Sequence, residues 1–390
     1  MPSPWPRRSG SLVLRDATPG DVEQLLTYRN DPEVNRWMMR TSVDPEEFRR
    51  SWAAAPGSDT DHSCLAERDG VVVAMGFLEI VDDGLHEETP RGVEAVIGYI
   101  VDPRRAGQGV ATDLARGLVA AAIHDLGLRR VKACCNRDNP ASSRVLEKAG
   151  MRREEHGVED SWHAEHGWVD GYGYAILAEE WRGEVGGLRE IRDASAAVQP
   201  RRALPPAVAW ETGERHTARL SLGDAAPDDV DQILRYRNRP EVGRWMLRAR
   251  VEPEAFRRAW LEPGERDRSF VARLGDRVVG SCSIEVRDGS GQPGGPVQGC
   301  EAEIGYVLDP AFHGQGYGRE IAAAGLDRCF RELRVRRVTA GLYADNVASA
   351  RLLSGLGMRL EQYGVRDSWH PDHGWVDGAA YGLLTREWRA

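Results

Sequence analysis

Two α/β (α+β) domains in tandem, each a mixed sheet flanked by helices, are what this sequence predicts, on three observations. The stretch Glu301 to Gly318, EAEIGYVLDPAFHGQGYG, has an earlier copy, VEAVIGYIVDPRRAGQGVA, from Val93 to Ala111. Gly98 answers Gly305 at 305 − 98 = 207 residues, and nearly the same spacing relates most of the chain, the mark of a duplication. Each copy then runs through strands and helices in one order, and 390 residues is an ordinary length for two domains.

The first copy justifies its elements in turn. Ser11 to Arg15 alternate like a short strand, and Pro19 with Asp21 opens a helix carrying Val22, Leu25, Leu26 and Arg29. That helix ends at Asn30-Asp31-Pro32. A second helical stretch holds Val34, Trp37 and Met38, and Pro45 introduces a third with Phe48 and Trp52. From His62 to Val81 two apolar runs flank Asp69-Gly70, a hairpin signal, because both turn residues need positive φ. The strand from Val93 to Val101 stops at Asp102-Pro103; Leu114, Leu118 and Ala122 then recur at fourfold spacing in a helix that Gly127 ends. Arg130 to Cys135 reads as a strand, Pro140 to Ala149 as a helix closed by Gly150, and the remainder as two strands around a polar loop from His156 to Gly167.

The second copy repeats this order, RYRNRPEVGRWMLR (Arg235 to Arg248) answering TYRNDPEVNRWMMR (Thr27 to Arg40). Its main difference reads as a glycine-rich insertion, Asp288 to Gly299, expected to be a mobile hairpin extension. The domains are expected at 11–182 and 217–390. Between them, 183–216 is a Gly-, Pro- and Arg-rich linker with one short helix expected near Leu188 to Val198.

A formal charge of −9 argues against broad nucleic-acid or membrane-surface binding. The six cysteines include no CxxC pair, so reduced core thiols in a cytoplasmic protein are expected. The opening MPSPWPRRSGSLVL lacks the apolar core of a secretory leader, and no run approaches the roughly 18 apolar residues of a membrane span.

Strand, turn, glycines and helix start together make an anion site, since unpaired amides and the positive dipole end face outward there. Glycines let a phosphate approach the backbone without a Cβ in the way, and a pyrophosphate is the expected ligand. At AGQGVA (Ala106 to Ala111) and HGQGYG (His313 to Gly318) the chain resembles the GCN5-related N-acetyltransferases (GNAT), whose acetyl-CoA signature is [QR]-x-x-G-x-[GA] after a strand. Both copies depart at the first position, Ala106 and His313. RDNPASSRVLEKAGMR (Arg137 to Arg152) and ADNVASARLLSGLGMR (Ala344 to Arg359) look like the family's N-x-x-S segment. An early Y-R-N-x-P-E-V (Tyr28 to Val34, Tyr236 to Val242) and an ending W-x-D…Y-x-x-L…E-W resemble the RimJ/RimL-type acetylases of ribosomal proteins.

The resemblance implies two tandem GNAT domains, each a mixed, mostly antiparallel sheet flanked by helices, using acetyl-CoA and no metal. By it, acetyl-CoA would lie against Val307, His313, Gly314, Gln315, Gly316, Tyr317 and Gly318, and in the first copy against Gly107, Gln108, Gly109, Val110 and Ala111. Asn346 and Ser349, with Asn139 and Ser142, would face the pantetheine arm; equally, the asparagines can cap the next helix. The family's acid tyrosine falls on Leu146 and Leu353. Ser349 or Ser142 would then serve the departing sulfur, or the thiolate would leave unaided, thiols near pKa 8.5 being tolerable leaving groups, and the backbone at Tyr306 would polarise the thioester carbonyl.

An alkylamine near pKa 10 is only about one part in a thousand neutral at pH 7, so transfer gains from a base. Glu303, two residues before Gly305 on one strand face with Glu301, is the candidate. The first copy has Val96 there, since 303 − 207 = 96, and Glu94 answers Glu301. The second copy is therefore expected to be catalytic and the first impaired or specialised. The polar segments Gly157 to Gly171 and Gly364 to Gly378 offer His163, His166 and Asp170, or His370, His373 and Asp377, as a substrate rim or alternative base; the bland reading is a packed hairpin. H-x-x-H on a loop without a third dedicated ligand is a poor metal motif. The expected acceptor is a peptide or protein N-terminal amine, with a small-molecule amine as the alternative, and a non-catalytic acyl-CoA-binding module as the competing class. Such a tandem can imitate a homodimer in one chain.

Overall fold

The chain divides into two units, residues 1–192 with 291–295, and residues 193–290 with 296–390. The computed structural model describes residues 3–54, 58–82, 89–191, 203–213, 215–246 and 248–389.

In the first unit the elements run β1 (Arg7–Ser9), β2 (Leu12–Arg15), α1 (Val22–Arg29), α2 (Pro32–Asn35), α3 (Pro45–Ala54), β3 (Cys64–Arg68), β4 (Val71–Val81), β5 (Glu94–Val101), α4 (Val110–Ala120), β6 (Arg130–Asn136), α5 (Pro140–Lys148), β7 (Arg152–His163), β8 (Gly167–Leu177) and α6 (Ala178–Trp181). Its sheet is ordered β1-β2-β3-β4-β5-β6-β8-β7. Only β5 and β6 run parallel; the other pairings described are antiparallel. Asp69 and Gly70 hold positive φ in the predicted hairpin turn. One face packs on α4 through Leu114 and Leu118, the other on α1 and α3 through Leu25 and Phe48.

The second unit repeats this with β9 (Ser221–Gly223), α7 (Pro227–Arg237), α8 (Pro240–Gly243), α9 (Pro253–Leu261), β10 (Phe270–Leu274), β11 (Arg277–Arg287), the two-residue β12 (Ser290–Gly291), β13 (Glu301–Leu308), α10 (Tyr317–Asp327), β14 (Arg337–Tyr343), α11 (Val347–Gly355), β15 (Arg359–His370) and β16 (Gly374–Leu384). Its sheet is ordered β15-β16-β14-β13-β11-β10-β9, with β13 and β14 its parallel pair.

Four expectations change. Most of the polar stretch expected as a loop from His156 is strand β7, and the turn shrinks to residues 164–166. The linker is not loose at its far end: Val208 and Trp210 are buried in the second core, and Trp210 Nε1 donates to Ala324 O at 3.0 Å. Residues 188–191 form no helix, and the rest of the helix expected there lies outside the described residues, as does the Trp52 side chain. The glycine-rich segment is hardly an insertion, because Glu79 pairs with Val96 and Glu285 with Glu303, spans of 96 − 79 = 17 and 303 − 285 = 18 residues. Nor is it a free hairpin. Gln292 is 5% exposed. Its Nε2 donates to Arg36 O at 2.7 Å and Met38 O at 3.0 Å, its Oε1 accepts from Ala164 N at 2.9 Å, and its own N–H donates to Trp162 O at 2.8 Å.

Candidate active site

The site is built where the parallel pair opens. β13 is paired with β11 along its whole length, but with β14 only at Glu301–Arg337, Ala302–Val338 and Glu303–Thr339. Beyond Glu303 the two strands carry no such pairs, leaving Ile304 to Leu308 at the edge of a fork. Period two decides the faces: Ala302 and Ile304 enter the core beneath α10, while Glu301, Glu303 and Gly305 take the opposite face. β5 and β6 make the same fork, ending at Val96–Lys132.

Glu303 and Glu301 share a face but not a role. Arg336 and Arg337 hold Glu301 at 3.1 and 3.2 Å, and Arg337, Glu361, Arg359 and Glu387 continue a buried ionic chain. Glu303 keeps 31% side-chain exposure and pairs with Arg287. Burial pushes its carboxyl above the usual carboxylate range, Arg287 opposing and Glu285 reinforcing the shift. In the first unit the register puts Val81 and Val96 where Arg287 and Glu303 stand, so the whole polar pair is missing.

Asp309 caps the turn after β13 by accepting from Ala311 N at 3.0 Å, and Gly314 and Gly316 then carry φ of 74° and 83°. A side chain there would be strained. A Cβ built on Gly314 would meet nothing within 4 Å, and one on Gly316 only Arg219 Nη2 at 3.6 Å; at Gly107 and Gly109 the space is likewise open. The room above the turn fits a diphosphate resting on the first amides of α10. Gly318 answers a different need, since a Cβ there would lie 3.2 and 3.3 Å from Leu352 and Leu308. His313 is exposed, Gln315 turns its side-chain amide onto Ala311 O at 3.2 Å, Tyr317 is buried against Phe312, and Val307 packs on the α7 side of the sheet. Gln108 repeats the Gln315 contact on Arg104 O, Val110 is buried, and Ala111 occupies the place of Gly318.

Across the fork, Tyr306 OH lies 2.6 Å from Ser349 Oγ, and Tyr99 OH lies 2.8 Å from Ser142 Oγ. Burial drives both phenols well above their ordinary pKa, so they remain protonated. Asn346 and Asn139 accept from the Ser349 and Ser142 amides at 3.2 Å, as N-caps do. Leu353 and Leu146 are buried in the cores.

The residues proposed for the substrate rim are bound into the hairpins. His163 is 1% exposed, its Nε2 is 2.7 Å from Arg36 O, and its Nδ1 accepts from Glu165 N. His370 repeats this with Arg244 O at 3.1 Å and Asp372 N. His163, Glu165 and His166 form a possible metal triplet among the described residues, yet both His163 nitrogens are engaged by backbone. Asp170 and Asp377 accept from the amides of Glu159 and Arg366, non-glycine residues at φ 50° and 49° in the bulges of β7 and β15. Burial raises the Asp170 carboxyl, but His156, the Glu159 amide and Arg137 overcome it and bring it down to about 2. Asp377 instead accepts from Tyr363 OH at 2.7 Å.

Two cations near the site escaped sequence reading. Arg287 was hidden because its partner lies on another strand; the joint change to Val81 and Val96 was the available signal. Arg219 lies almost a hundred residues from the turn it touches. Its Nη1 donates to Gln315 O at 3.0 Å, Nε and Nη2 lie 2.8 and 2.7 Å from Glu320 Oε2, and the guanidinium sits 4.0 Å above the Tyr317 ring.

The model of the acetyltransferase (GNAT) domain matches residues 11–152 and again residues 219–359. The chain belongs to the GNAT family. It is thus an acetyltransferase of two GNAT domains, and the family's donor is acetyl-CoA. The uncharacterized N-acetyltransferase YnaD of Bacillus subtilis (strain 168) is 35% identical over 172 residues, 44% of this chain and 95% of its own length. The mycothiol acetyltransferase of Nocardia farcinica (strain IFM 10152) is 27% identical over 303 residues, 75% of this acetyltransferase and 78% of the relative. Mycobacterium smegmatis RimJ, solved in complex with CoA-disulfide, aligns over 46% of this chain and 91% of its own at 23% identity and TM-score 0.40. No helix among the described residues is long and apolar enough to cross a membrane.

Proposed function

We propose that the second unit transfers the acetyl group of acetyl-CoA to a primary amine, in the first place the N-terminal amine of a peptide or protein, by direct attack. The observation carrying this is Glu303 at the opening of the fork, paired with Arg287 and half-shielded from water. Acetyl-CoA supplies the thioester whose carbonyl carbon the amine attacks. Glu303 takes the amine proton as the C–N bond forms, the backbone at Tyr306 faces the developing negative oxygen, and the C–S bond breaks to release the thiolate. Tyr306 OH and Ser349 Oγ are hydrogen-bonded, and with the protonated Tyr306 as donor the serine O–H is free to donate to sulfur. Gly314 to Gly318 and Asn346 hold the donor.

The first unit keeps the turn and the Tyr99–Ser142 pair but has Val96 in place of a base, which supports a donor-binding unit with little turnover. His163, His370, Asp170 and Asp377 act in this reading by fixing the hairpins that border the acceptor side. A second reading, a small-molecule amine as acceptor, is favoured by the match to a mycothiol acetyltransferase across both domains. The test is thiol release from acetyl-CoA by the full chain with a panel of peptides, polyamines and amino sugars. Faster turnover of peptides with a free N-terminus supports the first reading, whereas turnover confined to small amines replaces it with the second.

A further inference from the structure

Resting on the reading of the second unit as the acetyl-CoA-using half, we propose that Arg219 is a donor-binding residue of that unit, giving hydrogen bonds to the diphosphate of acetyl-CoA. The signature's first position, a glutamine or arginine in the pattern, is the exposed His313 here, so the turn lacks its usual long polar side chain. Arg219 reaches the same turn from the segment before β9. It touches three successive residues of the turn: the Gln315 carbonyl, the Cβ position of Gly316 at 3.6 Å, and the face of Tyr317. Glu320, itself buried, fixes the guanidinium from the helix side and also accepts from Arg219 N at 3.0 Å.

A guanidinium has five N–H donors, and these contacts use at most three. Arg219 keeps 42% side-chain exposure beside the open space over Gly314 and Gly316. It is therefore pre-oriented yet unsaturated, as a phosphate-binding arginine needs to be. The first unit has Ser11 in this place: Ser11 N donates to Asp113, the counterpart of Glu320, at 3.3 Å, and no cation among the described residues joins them. Donor affinity thus differs between the units through a residue outside the signature.

Titration of the full chain with acetyl-CoA, alongside acetyl-pantetheine and acetyl-dephospho-CoA, tests this. Arg219→Gln should weaken acetyl-CoA about tenfold, the loss of one charge-assisted contact, with kcat within about twofold. The same loss is expected for acetyl-dephospho-CoA, which keeps the diphosphate, and none for acetyl-pantetheine, which lacks it. Arg219→Lys should recover part of the affinity. Equal weakening of all three donors would assign Arg219 a structural role only, and loss confined to acetyl-CoA would move the contact to the 3′-phosphate; either overturns the proposal. Unchanged binding also overturns it while leaving the catalytic reading intact, whereas a wild type that binds no acetyl-CoA removes both. If Arg219→Gln does not fold, CoA should protect Arg219 of the wild type from phenylglyoxal, read by mass spectrometry, and equal labelling with and without CoA refutes the contact.

Discussion

Replacing Glu303 by glutamine removes the base and keeps its shape. The change should leave the fold intact, because the Arg287–Glu303 pair is partly exposed, with side-chain accessibilities of 48% and 31%, and such pairs contribute at most about 1 kcal/mol. Turnover is another matter. General-base assistance is commonly worth about 10²- to 10⁴-fold, and we expect kcat/KM at pH 7 to fall about 10²-fold. Its recovery with pH identifies the acceptor. A peptide α-amine, with pKa near 7.7 to 8.0, is already neutral to roughly one part in ten at pH 7, so moving to pH 9 returns at most about tenfold. An alkylamine near 10.4 is neutral to roughly one part in 2,500 and gains about a hundredfold over the same interval. In the wild type, the acid limb of kcat/KM should lie above the ordinary carboxylate range, because burial raises the Glu303 pKa and activity requires its ionised form. The assay is initial-rate thiol release from pH 5 to 9 on wild type and Glu303→Gln, with melting curves as the folding control. A variant within threefold of wild type at pH 7 would refute the assignment of the base.

Asp170→Asn should destabilise the first unit by about 2 kcal/mol at pH 7, from a carboxyl held at about 2 against its ordinary 3.8. The depressed pKa sets the sign: the contribution is complete above about pH 4 and fades as pH falls through about 2, so urea melts of wild type and variant should differ at pH 7 and converge near pH 2. Ser349→Ala should lower kcat about tenfold with little change in KM for acetyl-CoA, and Tyr306→Phe with Ser349→Ala should cost no more than Ser349→Ala alone, since both act through one hydroxyl. Full kcat in Ser349→Ala would remove that hydroxyl from the leaving sulfur. Val96→Glu by itself should add no turnover in a Glu303→Gln background, because it places a carboxylate opposite Glu79 without a cation; Val81→Arg with Val96→Glu should add measurable thiol release.

Much of the fold was legible because local chemistry announced it. Asp69-Gly70 demanded a hairpin, Pro45 and Pro140 opened helices, and the duplication supplied every reading twice. The glycine turn and the strand face that Glu303 takes were legible for the same reason, one from backbone freedom and the other from period two along a strand. What remained hidden depends on partners distant in sequence. The segment from His156 looked like a loop because its alternation is broken by a bulge that Asp170 stabilises from fourteen residues further on. The glycines near Gln292 looked like a sign of mobility, yet a Cβ at Gly291 or Gly295 would come within 2.5 or 2.2 Å of Trp162, so these two are small because another residue lies against them. His163 and His370 advertised chemistry by type, while their contacts bind backbone.

The discontinuity of the first unit bears on how the protein is dissected. A chain ended at residue 192 would lack residues 291–295, and with them four hydrogen bonds: the amide of Gln292 on two carbonyls, its oxygen on the Ala164 amide, and its own N–H on Trp162. The Met38 carbonyl and the Ala164 amide would have to find water or a neighbour instead, and the Arg36 carbonyl would keep His163 Nε2 alone. The halves are therefore not interchangeable with two separately expressed proteins, and low activity in an isolated first half would be ambiguous between a missing base and a missing piece. Substitutions in the intact chain avoid that ambiguity. During synthesis, too, the first unit stays incomplete until the ribosome is well into the second.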